Sequence, residues 1–387
     1  MMRILFVSNG HGEAAIADRI AAELHALLPD ATLDHLALVG EPVSDSTRPV
    51  GPRRAMPSGG LIAMGNLRNL VRDLGSGLLP LVVAQRGFLR SIRGSYDVAV
   101  AVGDVYALAM TLRAGTSTVF VGTAKSVSVA PYGPFEARVL ARADVRYVRD
   151  EATARALRAR GLSVEPAANV IVDLFVVQPD AAADAALAEF DPALALFPGS
   201  RASAYDDAAF LLEVVHGVAE ALPRAGAALS IARGLDVARF ADAARHAGWK
   251  VEGESRDEVP FRLSLHGRTL VRAWTGSPAP LLRRAALVLG QAGTANEGAA
   301  AAGVPVVAFQ REGDGKARWY RRRQQGLLGD AMAVFCGKAP EAAASVCDLL
   351  NDPARRRHMS DTGRARMGEP GAARRIGERI LLLARQN

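Results

Sequence analysis

The sequence predicts two successive α/β domains, each a parallel sheet covered by helices, with a ligand cleft between them and a basic helix at the C-terminal end. Three observations predict it. Short apolar runs alternate with alanine-rich segments of helical period along the chain, the order that builds parallel sheet with helices on both faces. The alternation stops across residues 177–192 (VQPDAAADAALAEFDP), which reads as a linker, and then restarts. With 387 residues, half of them apolar, each part is long enough to bury a core of its own.

The elements follow in order. Residues 3–8 (RILFVS) are an apolar run ending in a glycine loop, a first buried strand. Residues 14–28 repeat Ile16, Ile20, Leu24 and Leu27 at helical spacing. Strands are expected at 97–102, 118–121 and 145–148, and a helix over 151–160, capped by Asp150 and stopped by Gly161. After the linker come a strand at 194–197, a helix at 206–221 and strands at 228–232, 287–289 and 304–309. Residues 372–385 form a basic amphipathic helix. The expected domains are 1–178 and 190–365, with 366–387 as a C-terminal helix able to pack back on the first.

Composition narrows the classes. The apolar start is too short for a secretory leader, and no run of 18 apolar residues exists to span a membrane. The two cysteines, Cys336 and Cys347, lack the spacing of a metal or redox pair and read as inert thiols. A formal net charge of +7 suggests an anionic partner, although an arginine-rich composition gives the same number without one.

Three loops carry the candidate chemistry. In VLGQAGTANEGAAAAGVPVVAF (288–309), a strand runs into Gly293 and Thr294, and Asn296 and Glu297 open a helix. A helix start offers free N–H groups and a positive dipole end to a diphosphate, and glycine lets the phosphate approach the backbone. A carboxylate at Glu297 can accept from both hydroxyls of a ribose. The competing reading is an ordinary turn with a capping Asn or Glu. LFPGSR (196–201) is a second strand-to-loop junction. There the Gly199 backbone and Ser200 can hydrogen-bond phosphate and Arg201 can grip it bidentately; alternatively Arg201 is simply solvated.

The third loop, Asn9, Gly10, His11, Gly12 and Glu13, follows the first strand. It lacks the dinucleotide fingerprint, and no P-loop sequence exists elsewhere, so neither a nicotinamide cofactor nor a standard NTPase is expected. His11 can serve as acid, base or substrate contact, or merely bond the loop backbone. Asp104 lies just past a strand end, where parallel-sheet enzymes place chemistry. It can deprotonate an acceptor hydroxyl or cap the following helix. No Asp-x-Asp and no zinc spacing of histidines occurs, so no metal is expected.

Together these residues resemble the GT-B glycosyltransferases, built from two Rossmann-like domains, and within them the lipid A disaccharide synthase family. LFPGSR is similar to that family's Leu-Pro-Gly-Ser-Arg, and AGTANE (292–297) to its Ser-Gly-Thr-Ala-Thr-Leu-Glu. Gly12-Glu13-Ala14 resembles the start of its N-terminal Gly-Glu-Ala-Ser-Gly-Asp, and Gly103-Asp104 its Gly-Ile-Asp. The resemblance implies inverting, metal-independent transfer of a GlcNAc-type sugar from a UDP-sugar to a lipid-linked acceptor. No cofactor beyond that co-substrate is implied. It places Gly199, Ser200, Arg201, Gly293, Thr294, Asn296 and Glu297 on the donor, with Asp104 as base and His11 as its rival.

The chain departs from the family at Gln291-Ala292, in the VYALA after Asp104, and in GTAKSVSVAPYG (122–133), which has no tryptophan. The donor side thus looks retained and the acceptor side changed. A sugar-nucleotide epimerase of the same fold is the alternative enzyme, and a non-catalytic binder of nucleotide sugar or lipid a third class.

The expected partners are a nucleotide sugar, a lipid-linked acceptor and an anionic membrane surface, and not nucleic acid. Within residues 59–93, Leu67, Leu70, Val71, Leu74 and Leu78 recur at helical spacing, and Leu81, Phe88 and Ile92 share a face beside Arg86, Arg90 and Arg93. That pattern suits a helix lying in the headgroup region. A cytoplasmic protein held peripherally at the inner face of the membrane is the expectation; the competing reading packs this helix on the domain's own core.

Overall fold

The computed structural model describes residues 2–39, 46–54, 77–256, 258–311 and 315–386. It divides into two compact units, Met1–Leu174 with Pro370–Asn387, and Phe175–Glu369.

The first unit is built on strands β1 (Arg3–Ser8), β2 (Thr32–Ala37), β3 (Arg48–Pro49), β4 (Val98–Gly103), β5 (Ser117–Gly122) and β6 (Val145–Val148). They lie in the order β3-β2-β1-β4-β5-β6, every pair parallel. All six residues of β4 are buried, as a strand covered on both faces requires. The helices are α1 (His11–Leu27), α2 (Leu78–Ser91), α3 (Val105–Thr111), α4 (Pro134–Leu140), α5 (Glu151–Arg158) and α6 (Val170–Leu174). Helix α1 starts three residues earlier than its apolar period suggests, because only Asn9 and Gly10 separate it from β1. The C-terminal helix, Ala372–Ala384, buries Ile376 and Ile380 and packs on α1. Asp173 at the end of α6 caps it, accepting from the backbone N–H groups of Gly371 and Ala373.

In the second unit the strands are β7 (Ala193–Phe197), β8 (Gly226–Ser230), β9 (Lys250–Arg256), β10 (Val259–Leu265), β11 (Arg268–Trp274), β12 (Leu287–Gly290), β13 (Val306–Gln310) and β14 (Met332–Cys336). Their order is β14-β13-β12-β7-β8-β11-β10-β9. Helices α7 (Ala181–Leu187), α8 (Ala204–Ala221), α9 (Val237–His246), α10 (Thr294–Ala301), α11 (Gly315–Leu328), α12 (Ala339–Leu350) and α13 (Pro353–Met367) accompany them. One apolar cluster, with Leu194, Leu211, Val215, Leu229, Leu289 and Val346 among its buried members, forms the core.

Two expectations are corrected here. The sheet is not wholly parallel: β10 runs antiparallel to both β9 and β11. His266 and Gly267, with φ of 49° and 77°, make the two-residue turn that tight hairpins need. The supposed linker 177–192 contains α7, started by Asp180 accepting from Ala183 N at 2.9 Å and burying Ala183, Ala186 and Leu187. Its small apolar face was masked by flanking Asp and Pro.

In each unit the strand order reverses beside the first strand, next to β1 and β4 in one and next to β7 and β12 in the other. The crevice at the carboxyl ends of such strands is where open α/β sheets bind ligands.

Candidate active site

At the reversal point of the second unit, β7 ends in Pro198-Gly199-Ser200-Arg201 and β12 ends in Gln291-Ala292-Gly293 before α10. Gly199 has φ 115°, so the first loop turns through the left-handed region that favours glycine. Ser200 and Arg201 are exposed. Gly293 is the N-cap of α10 and has no side chain to cap it, which leaves the first-turn N–H groups of Thr294 and its neighbours to a ligand. Glu297 is half-buried in that first turn.

The 291–297 loop is held from behind. Gln291 exchanges two hydrogen bonds with the Phe309 backbone, at 3.1 and 3.3 Å, tying the loop to β13. Arg321 Nη1 donates to Gln291 O at 3.3 Å. Gln324 Nε2 donates to Ala292 O and Gly293 O at 3.1 and 3.0 Å. Asn296 is fully buried and donates to Gly290 O and Gln324 Oε1 at 3.1 and 3.2 Å. The structure therefore turns Asn296 inward, where it shapes the loop; its amide is not presented to a ligand.

At the reversal point of the first unit, Asn9, Glu13, Asp104 and Thr123 come together. Asp104 Oδ1 accepts from Tyr106 N and Ala107 N at 2.9 and 3.1 Å, so it does cap α3. Asn9 donates a further hydrogen bond to it. Burial pushes the Asp104 carboxyl above the usual carboxylate range, opposed by the bonds from Ala107, Tyr106 and Asn9. Gly103, at φ 135°, leaves room for Asn9: a Cβ there would lie 2.0 Å from Asn9 Oδ1. Thr123 Oγ1 lies 3.5 Å from Glu13 Oε1, and Lys125 Nζ pairs with Glu136 at 2.6 Å. Tyr132 is buried beside the end of β5, its hydroxyl without a hydrogen-bond partner among the described residues. Gly10 is the buried backbone before α1 and Gly12 lies in its first turn. His11 is exposed at the start of α1.

No family model matches the chain, and no curated protein matches its sequence. Solved structures do match along its length. A protein described as a UDP-N-acetylglucosamine 2-epimerase from Listeria monocytogenes covers 100% of this chain and 97% of its own, with a TM-score of 0.61 and 14% identity. The UDP-GlcNAc 2-epimerase of Neisseria meningitidis, bound to UDP-GlcNAc, covers 100% of both chains with a TM-score of 0.55 and 12% identity. MurG of Acinetobacter baumannii covers 99% of this chain and 100% of its own, with a TM-score of 0.54 and 12% identity. The fold is of the GT-B type.

Within this GT-B chain, the residues expected at a membrane divide. Residues 55–76, which carry Leu67, Leu70, Val71 and Leu74, lie outside the described residues. Helix α2 buries Leu78, Leu81 and Leu89, and Phe88 packs with Ile92 against the core below β2, over Gly51. Phe88, expected to face a membrane, is half-buried and packs against the first unit's own apolar cluster. Arg86, Arg90 and Arg93 are exposed, and the Arg93 stem covers Gly115.

Sequence reasoning missed the α11 residues Tyr320, Arg321 and Gln324 in the second unit, and Thr123, Tyr132 and Glu136 in the first. The four-residue spacing of Tyr320 and Gln324, on one helix face, was the available signal. Among the described residues, no three His, Cys, Asp or Glu side chains converge as a metal site.

Proposed function

We propose that the chain is a metal-independent enzyme acting on a UDP-sugar, with the nucleotide on the second unit. The observation that carries this is the uncapped start of α10, with Gly293 and Thr294 offering backbone N–H groups and Glu297 half-buried one turn in. The diphosphate takes the helix start with Ser200 and Arg201; the Glu297 carboxylate takes the ribose hydroxyls.

Epimerisation of the sugar is the favoured reaction. It requires one group to remove a carbon-bound proton and another to return it, and the edge of the first sheet holds two carboxylates at the starts of different helices, Glu13 in the first turn of α1 and Asp104 capping α3. Asp104, raised by burial, is suited to the base role. Two of the similar structures are described as 2-epimerases of UDP-N-acetylglucosamine, which supports the same choice.

Transfer to a lipid-linked acceptor is the second reading, and one surface favours it. Arg86, Arg90, Arg113 and Arg142 have no ion-pair partner among the described residues. Burial and the charges of the other three hold Arg113 below its ordinary range. On α2 this surface continues into Leu79 and Val83, which are 64% and 67% exposed. Exposed apolar groups beside unpaired cations suit anionic headgroups and would hold the protein peripherally at a cytoplasmic membrane face.

Incubation with UDP-N-acetylglucosamine in EDTA, without acceptor, followed by proton NMR, separates the two. A new hexosamine epimer is expected from epimerisation. UDP release only after vesicles carrying a lipid-linked sugar are added selects transfer. Neither product, and no UDP binding, rejects the reading.

A further inference from the structure

Tyr320 on α11 lies against the donor loop. A Cβ built on Gly293 would lie 2.4 Å from the Tyr320 hydroxyl, so the phenol stands directly over the glycine that caps α10. Burial raises its pKa, as does the Glu297 carboxylate, while Arg201 acts in the opposite direction. The hydroxyl therefore sits within the fields of the two charged donor-site residues and stays protonated, an O–H donor throughout the neutral range. One turn further along α11, Gln324 satisfies the carbonyls of Ala292 and Gly293 from behind. With those carbonyls occupied, the helix start presents the backbone N–H groups of its first turn, and the Tyr320 hydroxyl stands beside them.

We propose that Tyr320 donates its phenolic hydrogen to the phosphate bound at Gly293 and Thr294, on a loop that Gln324 holds in the receiving conformation. This rests on the UDP-sugar reading and adds to it a donor-site residue outside both sequence motifs. It also accounts for glycine at 293, since any side chain there would displace the phenol.

The test is titration of full-length wild type and Tyr320→Phe with UDP and with uridine. Phenylalanine keeps the ring and removes only the hydroxyl, so the thermal midpoint without ligand should be unchanged. UDP should bind about 10- to 100-fold more weakly to the variant, the effect of one hydrogen bond to a charged group, while uridine affinity stays the same. Equal UDP affinity in both proteins overturns the assignment. Weakening of UDP and uridine alike also overturns it, because the hydroxyl would then be orienting Glu297 toward the ribose. If the wild type binds no UDP, the nucleotide reading fails and this assignment fails with it.

Discussion

His35 offers a test of the first unit that is independent of any substrate. Its ring is fully buried on β2, with Nε2 2.9 Å from the Ser8 hydroxyl at the end of β1 and Nδ1 without a partner among the described residues. Burial, with the Arg53 charge adding to it, lowers its pKa from 6.5 to about 4. The folded state therefore binds this proton less readily than the unfolded chain, so its contribution to stability is complete above pH 6.5 and is lost as pH falls toward 4. Two and a half units correspond to about 3 kcal/mol in total, and roughly 2 kcal/mol of that is lost between pH 8 and pH 5. Urea unfolding of wild type and His35→Asn, followed by far-ultraviolet circular dichroism from pH 8 to pH 5, measures it. The substitution should lower stability at pH 8 and flatten its dependence on pH. Parallel pH profiles for the two proteins would refute the argument, since the titrating group would then lie elsewhere.

Other outcomes follow from the two crevices. Asp104→Asn keeps an oxygen to cap α3, so the fold should hold within about 1 kcal/mol while turnover drops roughly 10²- to 10⁴-fold, read by product NMR and thermal melting. Gly103→Ala and Gly199→Ala both place alanine at positive φ, but the first also meets Asn9, at 2.0 Å, whereas no described residue lies within 4 Å of a Cβ at Gly199. The first should therefore cost more stability, by on the order of 1–3 kcal/mol, and equal melting temperatures would contradict that packing. Replacing Arg86, Arg90 and Arg113 by Gln should reduce sedimentation with anionic vesicles at low salt and leave UDP affinity unchanged. Wild-type binding that ignores both lipid charge and salt would remove the electrostatic patch from the account.

Much of the scaffold was legible because buried parallel strands read as short apolar runs. Residues 145–148 form β6 with those bounds, and 3–8 form β1. Asp150 and Gly161 marked the ends of α5 through cap chemistry that is local in sequence. Residues 250–274 escaped because their alternation of apolar and charged residues belongs to a hairpin, and the His266-Gly267 turn was not weighed as its signal. Asn296 escaped in another way: at a helix start, one residue of twist separates a side chain facing a ligand from one facing the core, and packing against Gln324 decides it. Tyr320 and Gln324 lie in an arginine-rich helix, RWYRRRQQ, whose composition reads as solvated surface. Only the tertiary contact brings them to a loop some thirty residues earlier. Phe88 was ambiguous because an apolar stripe beside arginines serves a core and a membrane equally well.

Calorimetric titration of the intact protein with UDP in EDTA asks whether the second unit binds UDP through the start of α10. One UDP should bind per chain. Glu297→Gln should weaken that binding by roughly 1–3 kcal/mol, or about one to two decades in Kd, with the melting temperature unchanged. Absence of UDP binding at millimolar concentration, or equal affinity in wild type and Glu297→Gln, would contradict it.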